Sequence, residues 1–227
     1  MFKHVNEYVC FSDEINNYLS AIMIDNKISH EEYHYSYIWE LVKSQGVSIR
    51  GFDFKETTSE CIFGMLVEDQ LEPTIVFNQQ LDVNTKNFVI SHEIIHYLFH
   101  KNEKNVVFID TKESLKNHGR KTLQEFQANI GASAILMPDE VLIYFLKKGW
   151  SLVQLSNSFA LSEEDIAIRL IQIMQANFEL SFRTAKNHAD DIRYHFNEKG
   201  KTTAILLATE LEYQLKKKQT KIDFIKY

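Results

Sequence analysis

Residues 87–101 read NFVISHEIIHYLFHK, and the fold and the chemistry of the chain both turn on them. At 100° per residue, Phe88, His92, Ile95 and Phe99 form one stripe, with Ile94 and Leu98 on the opposite side. A helix that is apolar nearly all round is a buried helix, so one is expected over residues 84–101. Residues four apart in a helix stand one turn above each other, so His92 and His96 can aim ring nitrogens at one ion. Glu93 lies about 100° further round, where its carboxylate cannot share that ion but can reach a water held by it. That is the mechanical content of HExxH: two zinc ligands and a general base, Glu93. Burying three ionisable groups in an apolar helix is costly unless an ion or close partners compensate.

A catalytic zinc site needs a third protein ligand and an open position. His100 lies about 12 Å along the axis from His92, too far for both to reach one ion from a straight helix. A better third ligand is Glu125 on KTLQEFQANIGASAIL (residues 121–136), where Glu125, Ala128 and Ala132 share a face. Ala128, Gly131, Ala132, Ser133 and Ala134 make that helix slim enough to approach the first closely. Asn129 is placed to steady the site from outside the ligand set, with helix packing as the equal alternative. Tyr97 and His118 are weak candidates for stabilising an oxyanion.

Upstream, VSIRGFDF, CIFGMLVE and TIVFN are short, rich in β-branched and aromatic residues, and separated by turn residues, so three strands are expected between 47 and 78. TIVFN is expected to offer a free edge for an extended substrate. VVFID (106–110) reads as a further short strand. Residues 4–45 read as helices, with Ser29 and Glu32 spaced as a capping box. Pro138 suits the first turn of a helix that Gly149 ends, and residues 151–176 give two helices around FALS, the second capped by Ser162 and Asp165. Residues 178–227 look helical and end in a basic tail. The expected fold is α+β and mostly helical, with a small sheet packed on the HExxH helix and a helical C-terminal extension. Its divisions are an N-terminal helical segment (1–45), a core around the HExxH helix (46–150) and a C-terminal region with a helix-turn-helix-like element (151–227).

Composition narrows the class. Hydrophobic residues make up 44% and charged residues 25% of 227, ordinary for a folded soluble protein. A net charge of −6 argues against a broad phosphate-binding surface, hence against nucleic acid or anionic lipid as general partners. Cys10 and Cys61 form no CxxC pair, so a cysteine zinc site or disulfide framework is not expected. The N-terminal stretch lacks an uninterrupted apolar core and no run approaches 18 apolar residues. No membrane span and a cytoplasmic setting are the expectation.

Two motifs in order carry a family resemblance. TIVFN, a strand ending in Asn, precedes FVISHEIIH, with Phe88 four residues before the histidine; EFQANIGASAILMP then supplies a Glu followed by Ala-Asn and a closing Met-Pro. Together they resemble the ImmA/IrrE family of metallopeptidases, with a looser match in LVQLSNSFALSEEDIAIRL, over roughly residues 45–172. The chain departs from the family pattern where Ile95 stands for the usual Gly and Gly131 for a large aromatic; bulk lost on one helix and gained on the other suggests compensated packing. The resemblance implies a zincin-like core with His92, His96 and Glu125 as ligands of Zn2+ (or another divalent ion such as Mn2+) and Glu93 as catalytic base. It further implies a protein substrate, commonly a helix-turn-helix transcriptional repressor of a phage, mobile element or stress regulon.

Two other features compete for attention. The helix pair over 151–176 could read DNA, but its second helix opens with Glu163, Glu164 and Asp165, which would repel phosphates; a structural or partner-docking module fits better. HADDIRYHF (188–196) places Asp191 and His195 four apart, a spacing equally typical of solvated helix pairs. A different class of function also stays open: a non-proteolytic metal-binding protein that docks and inactivates a regulator.

Overall fold

The computed structural model describes residues 5–54, 62–68, 72–100, 108–110, 123–194 and 198–225. In α1 (Val5–Asp25) Tyr8, Phe11, Ile15, Leu19 and Met23 recur every three or four residues and form its buried face. The helix ends with Lys27 in the left-handed region (φ 56°), and the Ile28 amide closes back on the Met23 carbonyl. Ser29 and Glu32 form one of the two expected bonds, the Glu32 amide to Ser29 Oγ at 3.3 Å, while the Ser29 hydroxyl donates to Glu32 Oε2 at 2.6 Å. They close a turn, however, and not a helix start; α2 begins later, at Ser36, and runs to Ser44. The intervening chain is pinned by Tyr33, whose ring is buried and whose hydroxyl donates to the Ile135 carbonyl at 2.6 Å.

The strands β1 (Ser48–Phe52), β2 (Gly64–Glu68), β3 (Pro73–Asn78) and β4 (Phe108–Asp110) form one mixed sheet in the order β1-β3-β2-β4. Strands β1 and β3 are parallel, and the other two pairs are antiparallel. TIVFN therefore does not offer a free edge. It lies in β3, hydrogen-bonded on one side to β1 through Ile49↔Ile75 and on the other to β2 through Leu66↔Ile75. Among the described residues the edges are β1 and β4.

The HExxH helix, α3 (Val83–Phe99), starts at Asp82, whose side chain accepts from the Thr85 amide at 3.1 Å. Every residue from Val89 to Tyr97 is buried, as an all-round apolar helix requires. The sheet covers one side of it and α4 (Leu123–Leu136) another. The anticipated exchange of bulk between these helices is real: a Cβ on Gly131 would lie 2.5 Å from both Cγ1 and Cδ1 of Ile95. Ile95 fills the space that a larger residue at 131 would need.

Helix α5 (Asp139–Lys147) follows Pro138, which stands one position ahead of it with φ −55°. Gly149, at φ 76°, ends it with the Trp150 amide on the Phe145 carbonyl. Helices α6 (Leu152–Phe159) and α7 (Glu163–Phe178) form the expected pair. Ser162 caps α7, accepting from the Asp165 amide at 3.1 Å. The acidic start of α7 is met by Arg193 of α8 (Phe182–Tyr194), 3.3 Å from Glu163 and 3.0 Å from Glu164. Helix α9 (Glu198–Ile225) packs on α5 and α8. Asp191 pairs with Lys199 at 2.8 Å, while His195 lies outside the described residues. Among the described residues no single helix is long and apolar enough to cross a membrane.

Arg169 of α7 ties this C-terminal part to the core. Buried at 6% exposure, it donates to the Ser133 carbonyl at 2.8 Å, to the Met137 carbonyl, and to Asp139 Oδ1 at 2.5 Å. It satisfies the open carbonyls at the end of α4 and pairs with the acidic start of α5. One cluster of buried side chains runs from Tyr8 to Leu211, including residues of α1, α3, α4, α5, α7, α8 and α9.

Candidate metal centre

Three side chains from two helices converge. His92 Nε2 and His96 Nε2 are 3.0 Å apart; Glu125 Oε2 lies 3.6 Å from the first and Glu125 Oε1 3.6 Å from the second. Both histidines are fully buried and the Glu125 side chain is 16% exposed. Helix α3 supplies the histidines at the i, i+4 spacing, and the slim middle of α4 lets Glu125 approach them.

The donor set fits a divalent cation. Asn129 Oδ1 lies 3.0 Å from His92 Nδ1 and, as an acceptor, fixes the proton there, so His92 turns a bare lone pair at Nε2 toward Glu125. Lone pair and carboxylate repel unless positive charge lies between them. Nitrogens bound to one zinc at about 2.0–2.1 Å stand roughly 3.3 Å apart in a tetrahedron, and the separations of 3.0 and 3.6 Å fall on either side of that. Burial first, then neighbouring His92 and His100, push the His96 imidazole down to about 2. It is therefore neutral, the form that ligates.

Glu93 is fully buried one position along α3 from His92. Opposite it stands Gly64 of β2: a Cβ there would lie 3.3 Å from Glu93 Oε1 and 2.3 Å from Val89 Cγ1. The space that Glu93 occupies against the sheet thus depends on a missing side chain. Asn129, 8% exposed, is the residue that contacts His92 Nδ1. His100 does not join the cluster. It is buried and places Nδ1 2.9 Å from His96 Nδ1 and Nε2 3.0 Å from Gln127 Oε1. Tyr97 is buried, and His118 lies outside the described residues.

Gly64 and Gln127 were not singled out by sequence. Gly64 sits in the strand segment CIFGMLVE, where a glycine signals close approach of a neighbour, a sign that could have been read. Gln127 carries no such mark. A cavity of about 430 Å³ lies beside the centre, with Phe63, Phe88, Phe126, Asn129, Ile168 and Gln172 among its lining.

Residues 42–171, more than half the chain, match the family model described as Peptidase M78, the IrrE N-terminal-like domain. The chain belongs to this family. It is a metallo-endopeptidase, and the His92, His96 and Glu125 cluster is its candidate metal site. Both sequence motifs and the helix pair α6–α7 up to Ile171 fall inside the matched span. No characterised protein gives a significant match to the chain.

Proposed function

We propose that the chain is a zinc-dependent endopeptidase that cuts one regulatory protein, a helix-turn-helix transcriptional repressor. The observation that carries the catalytic half is the convergence of His92, His96 and Glu125, with Glu93 fully buried one residue along α3 from His92. His92, His96 and Glu125 would hold the ion. A zinc ion held there would supply Lewis acidity, acidifying a water and polarising a peptide carbonyl. Glu93 takes the proton from the attacking water and delivers it to the leaving amine nitrogen. Asn129 keeps His92 in the tautomer that ligates.

The choice of a protein repressor rests on the family resemblance and on two features of this chain. Among the described residues strand β4 is an edge strand next to β2, which carries Gly64 against Glu93, so an extended peptide can pair there by backbone hydrogen bonds. The neighbouring cavity, about 430 Å³ and lined in part by Phe63, Phe88, Phe126 and Ile168, has room for apolar side chains of such a peptide.

Glu93→Gln tests the reading. Zinc content is expected to stay at the wild-type level while metal-dependent fragments of candidate repressors, followed by mass spectrometry, disappear. Cleavage retained by the variant removes Glu93 as the base. Wild-type protein that binds a repressor tightly but never cuts it favours the docking alternative.

A further inference from the structure

We propose that His100 and Gln127 are positioning residues that hold His96 in the one tautomer able to bind the ion. This rests on the reading that His92, His96 and Glu125 ligate a divalent cation.

The chain of contacts has a direction. Gln127 presents Oε1 to His100 Nε2 at 3.0 Å. An amide oxygen only accepts, so His100 carries its proton on Nε2. A neutral imidazole has one N–H, which leaves Nδ1 of His100 as an acceptor. The nitrogen facing it at 2.9 Å is His96 Nδ1, so the proton between the rings belongs to His96. With Nδ1–H occupied, His96 turns its lone pair at Nε2 toward His92 and Glu125, the side where the ion would sit. The opposite arrangement would put a proton on His96 Nε2 and block it as a ligand.

Asn129 does the same for His92 directly, through one amide oxygen. Both first ligands thus take their tautomer from an amide of α4, one at Asn129 and one at Gln127, the second through an intervening ring. His100 can act as that relay because it stands at the C-terminal end of α3, one turn beyond His96, with its amide on the His96 carbonyl at 3.0 Å. Its ring stacks on Phe11 at 6.4 Å and 24°, and its 8% exposure keeps water from substituting freely for Gln127.

The test uses the full chain. Zinc affinity is measured by chelator competition for the wild type, His100→Phe, His100→Asn and Gln127→Leu, with thermal melts as a folding control. Imidazole tautomers are read by nitrogen-15 NMR of the zinc-loaded wild type. His100→Phe, which keeps a stacking ring without an acceptor, is expected to bind zinc about 10–100-fold more weakly. Gln127→Leu moves in the same direction by less. His100→Asn, whose amide oxygen can take the place of Nδ1, stays within about threefold of wild type. NMR shows the His96 proton on Nδ1. The proposal is overturned by full affinity in His100→Phe, by an equal loss in His100→Asn, or by His96 Nδ1 without a proton, the last needing no variant. Wild-type protein that takes up no zinc overturns the metal reading itself, a distinguishable failure.

Discussion

Replacing Gly64 with alanine adds one carbon between β2 and the HExxH helix. The new Cβ stands 2.3 Å from Val89 Cγ1, where carbon atoms ordinarily rest about 3.5–4.0 Å apart. Val89 is β-branched, fully buried and on a helix, so its χ1 has little freedom to swing aside. Overpacking of this kind costs about 1–3 kcal/mol, and losing glycine's freedom in the unfolded chain returns about 0.4–1 kcal/mol. A net loss of up to about 2.6 kcal/mol follows, a fall in Tm of up to about 10 °C for a chain this size. The second consequence is chemical. The same Cβ lies 3.3 Å from Glu93 Oε1, so either α3 retreats from β2 or the carboxylate shifts. A displacement of about 1 Å at a reacting group costs on the order of 100-fold in rate, while the ligand set is untouched. Denaturant melts, zinc content and turnover on the cleaved partner are measured for Gly64→Ala, Val89→Ala and the double variant. The double variant is expected to be more stable than the sum of the singles, with a coupling of about 1–2 kcal/mol. A Gly64→Ala protein with unchanged melting and unchanged turnover refutes the reasoning. So does loss of zinc in step with activity.

Glu125→Ala removes a ligand and is expected to weaken zinc binding beyond the 10–100-fold that outer partners are worth; unchanged occupancy in a chelator titration would return the third position to another residue. Arg169→Met leaves two carbonyls and the Asp139 carboxylate without their cation, and a loss of about 3–5 kcal/mol is expected in urea unfolding. Adding Asp139→Asn should recover part of it; no recovery would place the cost in the carbonyls. Burial raises the phenols of Tyr8 and Tyr33 well above the ordinary value. Below about pH 10 both states stay protonated, whereas above it only the unfolded chain releases these protons, so stability falls by up to about 1.4 kcal/mol per pH unit for each. At least two of the ten tyrosines are then expected to ionise only as helical circular dichroism is lost; full phenolate absorbance in a folded protein would contradict this.

The grouping of His92, His96 and Glu125 was legible because its information is local. His92 and His96 are set by helical periodicity alone, and Glu125 was found because small residues around it make a helix that can be approached closely. The exchange between Ile95 and Gly131 was visible as a pair of departures from a pattern, and packing made it one contact. What depends on pairing partners far apart in the chain was not legible. TIVFN looked like an edge because nothing in five residues tells whether β1 will lie on one side and β2 on the other. Ser29 and Glu32 carried the capping-box spacing, yet they close a turn beside Tyr33, which is drawn into the core. Gln127 matters only through the ring of His100, and a glutamine on a helix has no periodic signature.

The interlock of Ile95 with Gly131 also constrains the order in which a lineage can rewrite this helix contact. Enlarging residue 131 first drives a carbon to 2.5 Å from the isoleucine branch, next to the two ligands that must stay aligned. Shrinking residue 95 first leaves a void that a later, larger neighbour can fill. Ancestors on the route between the two arrangements should therefore be hollow and not crowded at this junction, and they would have kept a working centre while carrying a weaker core.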